Sequence, residues 1–270
     1  AIMTLLFALL LQTAANLYHG YIDLRFGAGE NIGGMRDRRS RSDNSSKVLL
    51  LRIVANGFGI LTVTAGLSLF TFTGWVGVGY FALILILCYF YFAGPRPIVR
   101  TKWSVIFTFL FFGPIGVSGT ALIQNMHNAD WLPMIVYSVI IGLLAVNAHI
   151  AVQYLRHDED KINGKETLVT AKGGGVTRSV YLVNSAVITA ILIIRPTAVS
   201  FVSPWVGIIV GVCLLASSVW VFCHMSKDPS AVSRMVRTVT LYQYIAVTVT
   251  LLVIVLCSME HFDINVIQLI

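Results

Sequence analysis

Residues 133–155 read PMIVYSVIIGLLAVNAHIAVQYL, with no Asp, Glu, Lys or Arg, and the character changes at once to RHDEDKINGKETL over residues 156–168. An apolar run of about 20 residues, rising 1.5 Å per residue as a helix, matches the roughly 30 Å hydrocarbon thickness of a bilayer. A helix also satisfies its backbone hydrogen bonds internally, as the bilayer interior requires. The stretch therefore predicts a membrane-spanning helix that ends in a polar surface loop.

Outward from it, similar windows recur at roughly 1–24, 48–71, 75–94, 104–124, 176–195, 198–222 and 238–257, eight expected spans in all. They are too long for barrel strands. Of the 270 residues 57% are hydrophobic and 11% charged, with a mean hydropathy of +0.82, against roughly 45–50% and about 25% in soluble domains. There are too few charges to coat a soluble surface, which excludes a water-soluble fold, a disordered chain and a secreted disulfide scaffold. The net charge of +7 is spread through loops and does not form one basic face, so no nucleic-acid partner is expected. The expected fold is all-α, a polytopic helical bundle forming a single membrane domain over 1–270.

The loops 25–47, 95–103, 156–174 and 223–237 hold most of the basic residues, including Arg25, Arg36, Arg38, Lys47, Arg96, Arg100, Lys102, Arg156, Lys165 and Lys227. The connections at 72–74 and 125–132 and the tail 258–270 have no Lys or Arg, and the turn before Pro196 has only Arg195. This alternation obeys the positive-inside rule and places the four basic loops in the cytoplasm, with both ends of the chain outside. The opening residues AIMTLLFALLLQTAANLYHG begin inside a helix with no charged leader, so they do not read as a signal peptide and an upstream segment is expected.

One order of elements occurs twice: helix, long polar loop, then a helix with an arginine near its start, at 1–52 with Arg52 and at 133–178 with Arg178. Weak internal duplication is common where two halves build a central site, although basic cytoplasmic loops resemble one another without it. In the second long loop Asp158, Glu159 and Asp160 stand together with Arg156, Lys161 and Lys165 around them. Such carboxylates suit Mg2+, which bridges protein acids to substrate phosphates, and such cations suit phosphate oxygens. The competing reading is a solvated helix end that fixes topology. The first loop adds glycines and the run Arg36 to Arg41, which contact with anionic lipid headgroups explains equally well. Among polar residues inside spans, Asn147, His149 and Gln153 stand out; His149 and Gln153, four apart, share one helical face. The four cysteines lack metal-binding spacing and read as packing residues.

Three stretches resemble the UbiA superfamily of membrane prenyltransferases, most of all its dihydroxynaphthoate polyprenyltransferases of menaquinone synthesis. NLYHGYIDLRFGAG, residues 16–29, is similar to the first Asp-rich motif, N-x-x-N-D-x-x-D-x-x-x-G-x-D. FAGPRPIVRTKWSVIFTFLFFGPIGVSGT, residues 92–120, is similar to the Pro-containing connection and the helix with its FFGP run. RHDEDKINGKETL is similar to the second Asp-rich motif, ending in GK-x-TL. The resemblance implies nine spanning helices, the first lying upstream of residue 1. It also implies an enzyme that binds a polyprenyl diphosphate through Mg2+ held by both motifs, ionises it, and lets an aromatic acceptor, here dihydroxynaphthoate, attack the allylic carbon. The implied setting is a bacterial cell membrane, with the active-site loops cytoplasmic and lipids as neighbours.

Carried over residue by residue, the resemblance makes Asp23 and Asp160 the catalytic acids and Asp23, Asp158 and Asp160 the metal ligands. On that reading Arg96, Arg100, Lys102, Arg156 and Lys165 are candidates to neutralise the diphosphate, and Asn16, His19, His149 and Gln153, with Asn147, are candidate acceptor-side groups, although hydrogen bonding between helices is the default reading of polar residues such as His149 and Gln153 inside a span. The sequence departs from the pattern: His19 replaces the second Asn, and Gly20 and Gly29 replace two acids of the first motif. In the second, Arg156 falls on the first acid's position, or a one-residue deletion aligns it with the family's Arg and brings His157 or Asp158 to the acid. Two functions follow: an active prenyltransferase with a thinned metal site, or a catalytically silent relative serving as an isoprenoid-binding or partner subunit. A transporter is less favoured, since acids are absent from the interiors of the spans.

Overall fold

The computed structural model describes residues 2–30, 38–71, 73–93, 96–123, 131–194, 204–225, 235–236 and 238–249. These residues are overwhelmingly helical: α1 (Ile2–Glu30), α2 (Arg38–Thr71), α3 (Gly74–Phe92), a 3-10 turn (Ile98–Arg100), α4 (Ser104–Leu110), a π turn (Phe111–Ile115), α5 (Gly116–Ile123), α6 (Trp131–Leu155), α7 (His157–Ile162), α8 (Leu168–Ile194) and α9 (Pro204–His224), followed by α10 (Thr238–Val249). Seven helices among the described residues are long and apolar enough to cross a membrane, with the α4, π and α5 segments counted as one. The expected eighth, 238–257, is described over Thr238–Val249. The all-α polytopic architecture stands, and the protein is an integral membrane protein.

Two stretches expected as loops contain helix. Within 25–47, α1 continues to Glu30 and α2 begins at Arg38; within 156–174 lie α7 and the start of α8. Hydropathy marks where the hydrocarbon ends, but a helical ladder does not stop there, and Arg, Lys and Glu are good helix formers. Residues 31–37, Arg195, most of 223–237 and the tail 258–270 lie outside the described residues, so the loop expectations resting on them do too.

Contacts divide the chain into two compact units: Ala1–Ser104 with Ser118–Ala129 and Lys161–Lys165, and Val105–Val117 with Asp130–Asp160 and Glu166–Ile270. In the first, α1 packs on α2 and α2 on α3. Phe70 stacks on Phe81 with centroids 5.4 Å apart and takes Phe7 edge-on at 6.0 Å. Tyr18 donates to Asn56 Oδ1 at 2.8 Å, a polar tie between α1 and α2 of the kind that steadies helix pairs in lipid.

In the second unit, α6 is the most buried helix and packs against the π turn and α8, which in turn packs against α9. Its core joins Ile150 and Tyr154 with Val169, Tyr181 and Val221. Pro114 lacks a backbone N–H and so cannot continue the regular ladder, which here widens into the π turn. Gly113 lies against α6 so closely that a Cβ would sit 2.6 Å from the Ser138 carbonyl oxygen. Gly113→Val is therefore expected to destabilise this unit by about 1–3 kcal/mol through overpacking. A thermal midpoint equal to that of wild type, measured on purified protein in detergent, would count against this close packing.

Candidate active site

The first unit gathers one acid and two cations from three distant parts of the chain. Asp23 lies toward the end of α1, and His19, one turn earlier, places Nδ1 3.2 Å from Asp23 Oδ2. Lys165 brings Nζ to 3.2 Å from Asp23 Oδ1. It arrives there because α7 ends at Ile162 and Gly164 takes φ +61°, a left-handed turn that glycine makes without steric cost. Arg100, in the 3-10 turn that follows Pro97, donates from Nη2 to the Asn163 carbonyl oxygen at 2.6 Å. The Asn163–Lys165 turn is thus held by its backbone at Arg100 and by its side chain at Asp23.

Burial gives the pair its weight. The Lys165 side chain is 6% exposed and that of Asp23 13%, so neither ion keeps much hydration. Removing one partner of a buried pair costs about 3–5 kcal/mol, because the other charge is left without compensation. A surface pair would contribute far less. The arrangement sets the Lys165 ammonium against the Asp23 carboxylate, with the Arg100 guanidinium reaching the same turn from the 3-10 segment through the Asn163 carbonyl; such cations are of the kind that can meet an anion.

The other sequence candidates divide between positions. Arg96 and Lys102 are exposed, the latter with Nζ 5.7 Å from the Trp103 ring centroid. Asn16 is exposed on α1 and accepts from Gln12 at 3.4 Å. In the second unit Arg156 pairs with Glu159 at 3.3 Å, and the exposed Asp158 meets His157 Nδ1 at 3.0 Å. Asp160, by contrast, is buried. Gln153 Nε2 lies 2.8 Å from His149 Nε2, while Gln153 Oε1 accepts from the Leu168 N–H at 3.2 Å, where it caps the start of α8. Asn147 donates to Ser185 Oγ at 2.9 Å and accepts from Asn184 at 3.0 Å, which ties α6 to α8.

The sequence reading therefore names His19, Asp23, Arg100 and Lys165, which the first unit brings together, but not two features of their arrangement. Asn163, whose carbonyl anchors the turn, carries no signal, since any residue offers a carbonyl. The His19–Asp23 contact is visible in principle from the i,i+4 spacing on α1.

A family model matches residues 1–240, and its description is the UbiA prenyltransferase family. The chain belongs to that family. Among curated proteins it is 26% identical over 220 residues to the 1,4-dihydroxy-2-naphthoate octaprenyltransferase of Bacillus subtilis (strain 168), covering 77% of this chain. The match spans 66% of that relative's length, just under two thirds. No solved structure matches.

Family members generally use Mg2+ through Asp-rich motifs, so the donor set bears on whether this chain can. Among the described residues no group of three His, Cys, Asp or Glu side chains is placed to hold a metal. A cage made by the protein alone is not what these residues form. Mg2+ is commonly held by one or two carboxylates with substrate phosphates and water completing its shell. Asp23 offers one such carboxylate, with Lys165 Nζ and His19 Nδ1 each 3.2 Å from its oxygens.

Proposed function

We propose that the chain transfers a polyprenyl group from its diphosphate to an aromatic acceptor, dihydroxynaphthoate, in menaquinone synthesis at the cytoplasmic face of a bacterial cell membrane. The observation that carries this reading is the 3.2 Å contact between Asp23 of the first motif and Lys165 of the second, 142 residues apart in sequence. Family membership over residues 1–240 and the likeness to a dihydroxynaphthoate octaprenyltransferase support it.

The chemistry follows from charge. Breaking the allylic C–O bond leaves pyrophosphate with additional negative charge, and the barrier falls when positive charge is already fixed where that charge develops. Lys165 would supply it from the Asn163–Lys165 turn and Arg100 from the 3-10 segment that reaches that turn, with Arg96, Lys102 and Arg156 as further candidates. Asp23 would hold Mg2+ together with the diphosphate, and the metal supplies further neutralisation of the leaving oxygens. Asp160 and Asp158 are the proposed acids of the second motif. Ring carbon of the acceptor then bonds to the allylic carbon and the ring gives up a proton; Asn16, His19, His149 and Gln153 are the proposed acceptor-side groups.

The test incubates purified protein, Mg2+, a labelled polyprenyl diphosphate and dihydroxynaphthoate, and follows both pyrophosphate and prenylated product. Both are expected. If neither forms while a related enzyme works in parallel, the alternative is favoured: a catalytically silent relative that binds isoprenoids or a partner.

A further inference from the structure

We propose that Gln153 is a positioning residue which holds His149 in the Nδ1–H tautomer, so that this imidazole serves the aromatic acceptor as a hydrogen-bond donor and not as a base. This rests on the proposed prenyl-transfer reading and gives one of its acceptor-side groups a defined role.

A backbone N–H can only donate, so the Gln153 amide atom that meets the Leu168 N–H at 3.2 Å is the oxygen. That turns the amide nitrogen toward His149, 2.8 Å from Nε2. An amide NH2 offers hydrogens and no lone pair, so this contact is a hydrogen bond only where Nε2 accepts. A neutral imidazole whose Nε2 accepts carries its proton on Nδ1, and whatever meets Nδ1 must then accept. The opposite tautomer and the imidazolium would both set an N–H against the amide hydrogens. Gln153 is 4% exposed, so little water is at hand to relieve that clash. The amide is firmly anchored at its other end. Leu168 is the first residue of α8, where a backbone N–H lacks a helical partner, and the next residues along, Tyr154 and Val169, are packed in one buried cluster. The partly buried His149 thus has one lone pair, already engaged, and one N–H. Such a group orients a substrate oxygen and takes no proton from it, and a phenol hydroxyl and a carboxylate on an aromatic acceptor both supply oxygens of that kind.

The tautomer is read by solid-state NMR of the protein in lipid bilayers at neutral pH, with the histidine ring nitrogens isotopically labelled and the His149 signals identified by their loss in His149→Asn. Wild type is expected to carry the proton on Nδ1 and to leave Nε2 bare. A proton on Nε2 overturns the proposal, whatever Gln153 variants do. Saturating dihydroxynaphthoate is expected to shift the Nδ1 resonance, and no shift in protein that carries out prenyl transfer overturns the donor role. In Gln153→Met the Nε2–H form should become populated, and KM for dihydroxynaphthoate should rise about tenfold while KM for the prenyl diphosphate stays within about twofold. Loss of the α8 cap alone would lower the thermal midpoint and move neither the tautomer nor the two KM values apart, so that result overturns the positioning role. Absence of prenyl transfer with His149 found as Nδ1–H would sink only the assigned reaction.

Discussion

Asp23→Asn is expected to lower kcat for prenyl transfer about a hundred- to a thousandfold, the usual loss when one preorganised electrostatic element is removed from a charge-developing transition state. Asparagine keeps the size of the side chain and one acceptor oxygen, but not the charge that balances Lys165. Two consequences separate in measurement. Lys165, 6% exposed, loses its counter-ion, which is expected to cost roughly 3 kcal/mol of stability and lower the thermal midpoint. Turnover of the fraction that remains folded falls as well, because the carboxylate that would share a metal with the diphosphate is gone. The double variant Asp23→Asn with Lys165→Met removes both charges, and its thermal midpoint should recover much of the lost ground without any recovery of turnover. Turnover within about threefold of wild type in correctly folded Asp23→Asn would remove the first motif from the mechanism.

Membrane architecture is highly legible in such a sequence. A bilayer imposes a length and a composition on every span, and the run 133–155 meets both without reference to the rest of the chain. Polar ends are harder to place. The stretch after Leu24 reads as loop because it is charged, yet α1 runs to Glu30, since backbone hydrogen bonding tolerates Arg25 and Glu30 as readily as leucine. Within a helix, spacing suffices: His149 and Gln153 are four apart and their ring and amide nitrogens stand 2.8 Å apart.

Contacts between distant parts of the chain are another matter. Nothing local in NGK announces that Lys165 will meet Asp23, because the meeting depends on how α1 and the 161–165 segment pack within one unit. Composition marks both residues as candidates through charge alone. It also marks Arg96 and Lys102, which the fold leaves exposed, and only burial separates these from Lys165. The acceptor-side candidates show the same limit. Asn147 and Gln153 are polar residues in an apolar helix, and the structure gives each a partner that joins α6 to α8, a packing role that sequence cannot distinguish from ligand binding.

The second large effect is expected at Asp160, and burial is again the reason to choose it. Asp158, Glu159 and Asp160 all occupy the first turn of α7, where any acid gains from the helix dipole. If that were the whole of their role, the three would be interchangeable, and each replacement by the neutral amide would cost less than about 1 kcal/mol and leave turnover nearly intact. Exposure breaks the equivalence: the Asp158 side chain is 75% exposed and Glu159 69%, whereas Asp160 is 3% exposed. An acid so far from water depends on polar partners within the protein, unlike one that merely tunes a helix end, and on the proposed reading Asp160 is the acid of the second motif. Asp160→Asn is therefore expected to reduce kcat by about a hundredfold or more, with expression and membrane insertion close to those of wild type. Asp158→Asn, at an exposed position on the same turn, should differ little from wild type in stability and serves as the internal comparison. Should Asp160→Asn turn over normally while Asp158→Asn does not, the second motif shifts by two residues and Asp158 becomes its acid. Should both turn over normally, the second motif contributes Lys165 to the site and no carboxylate.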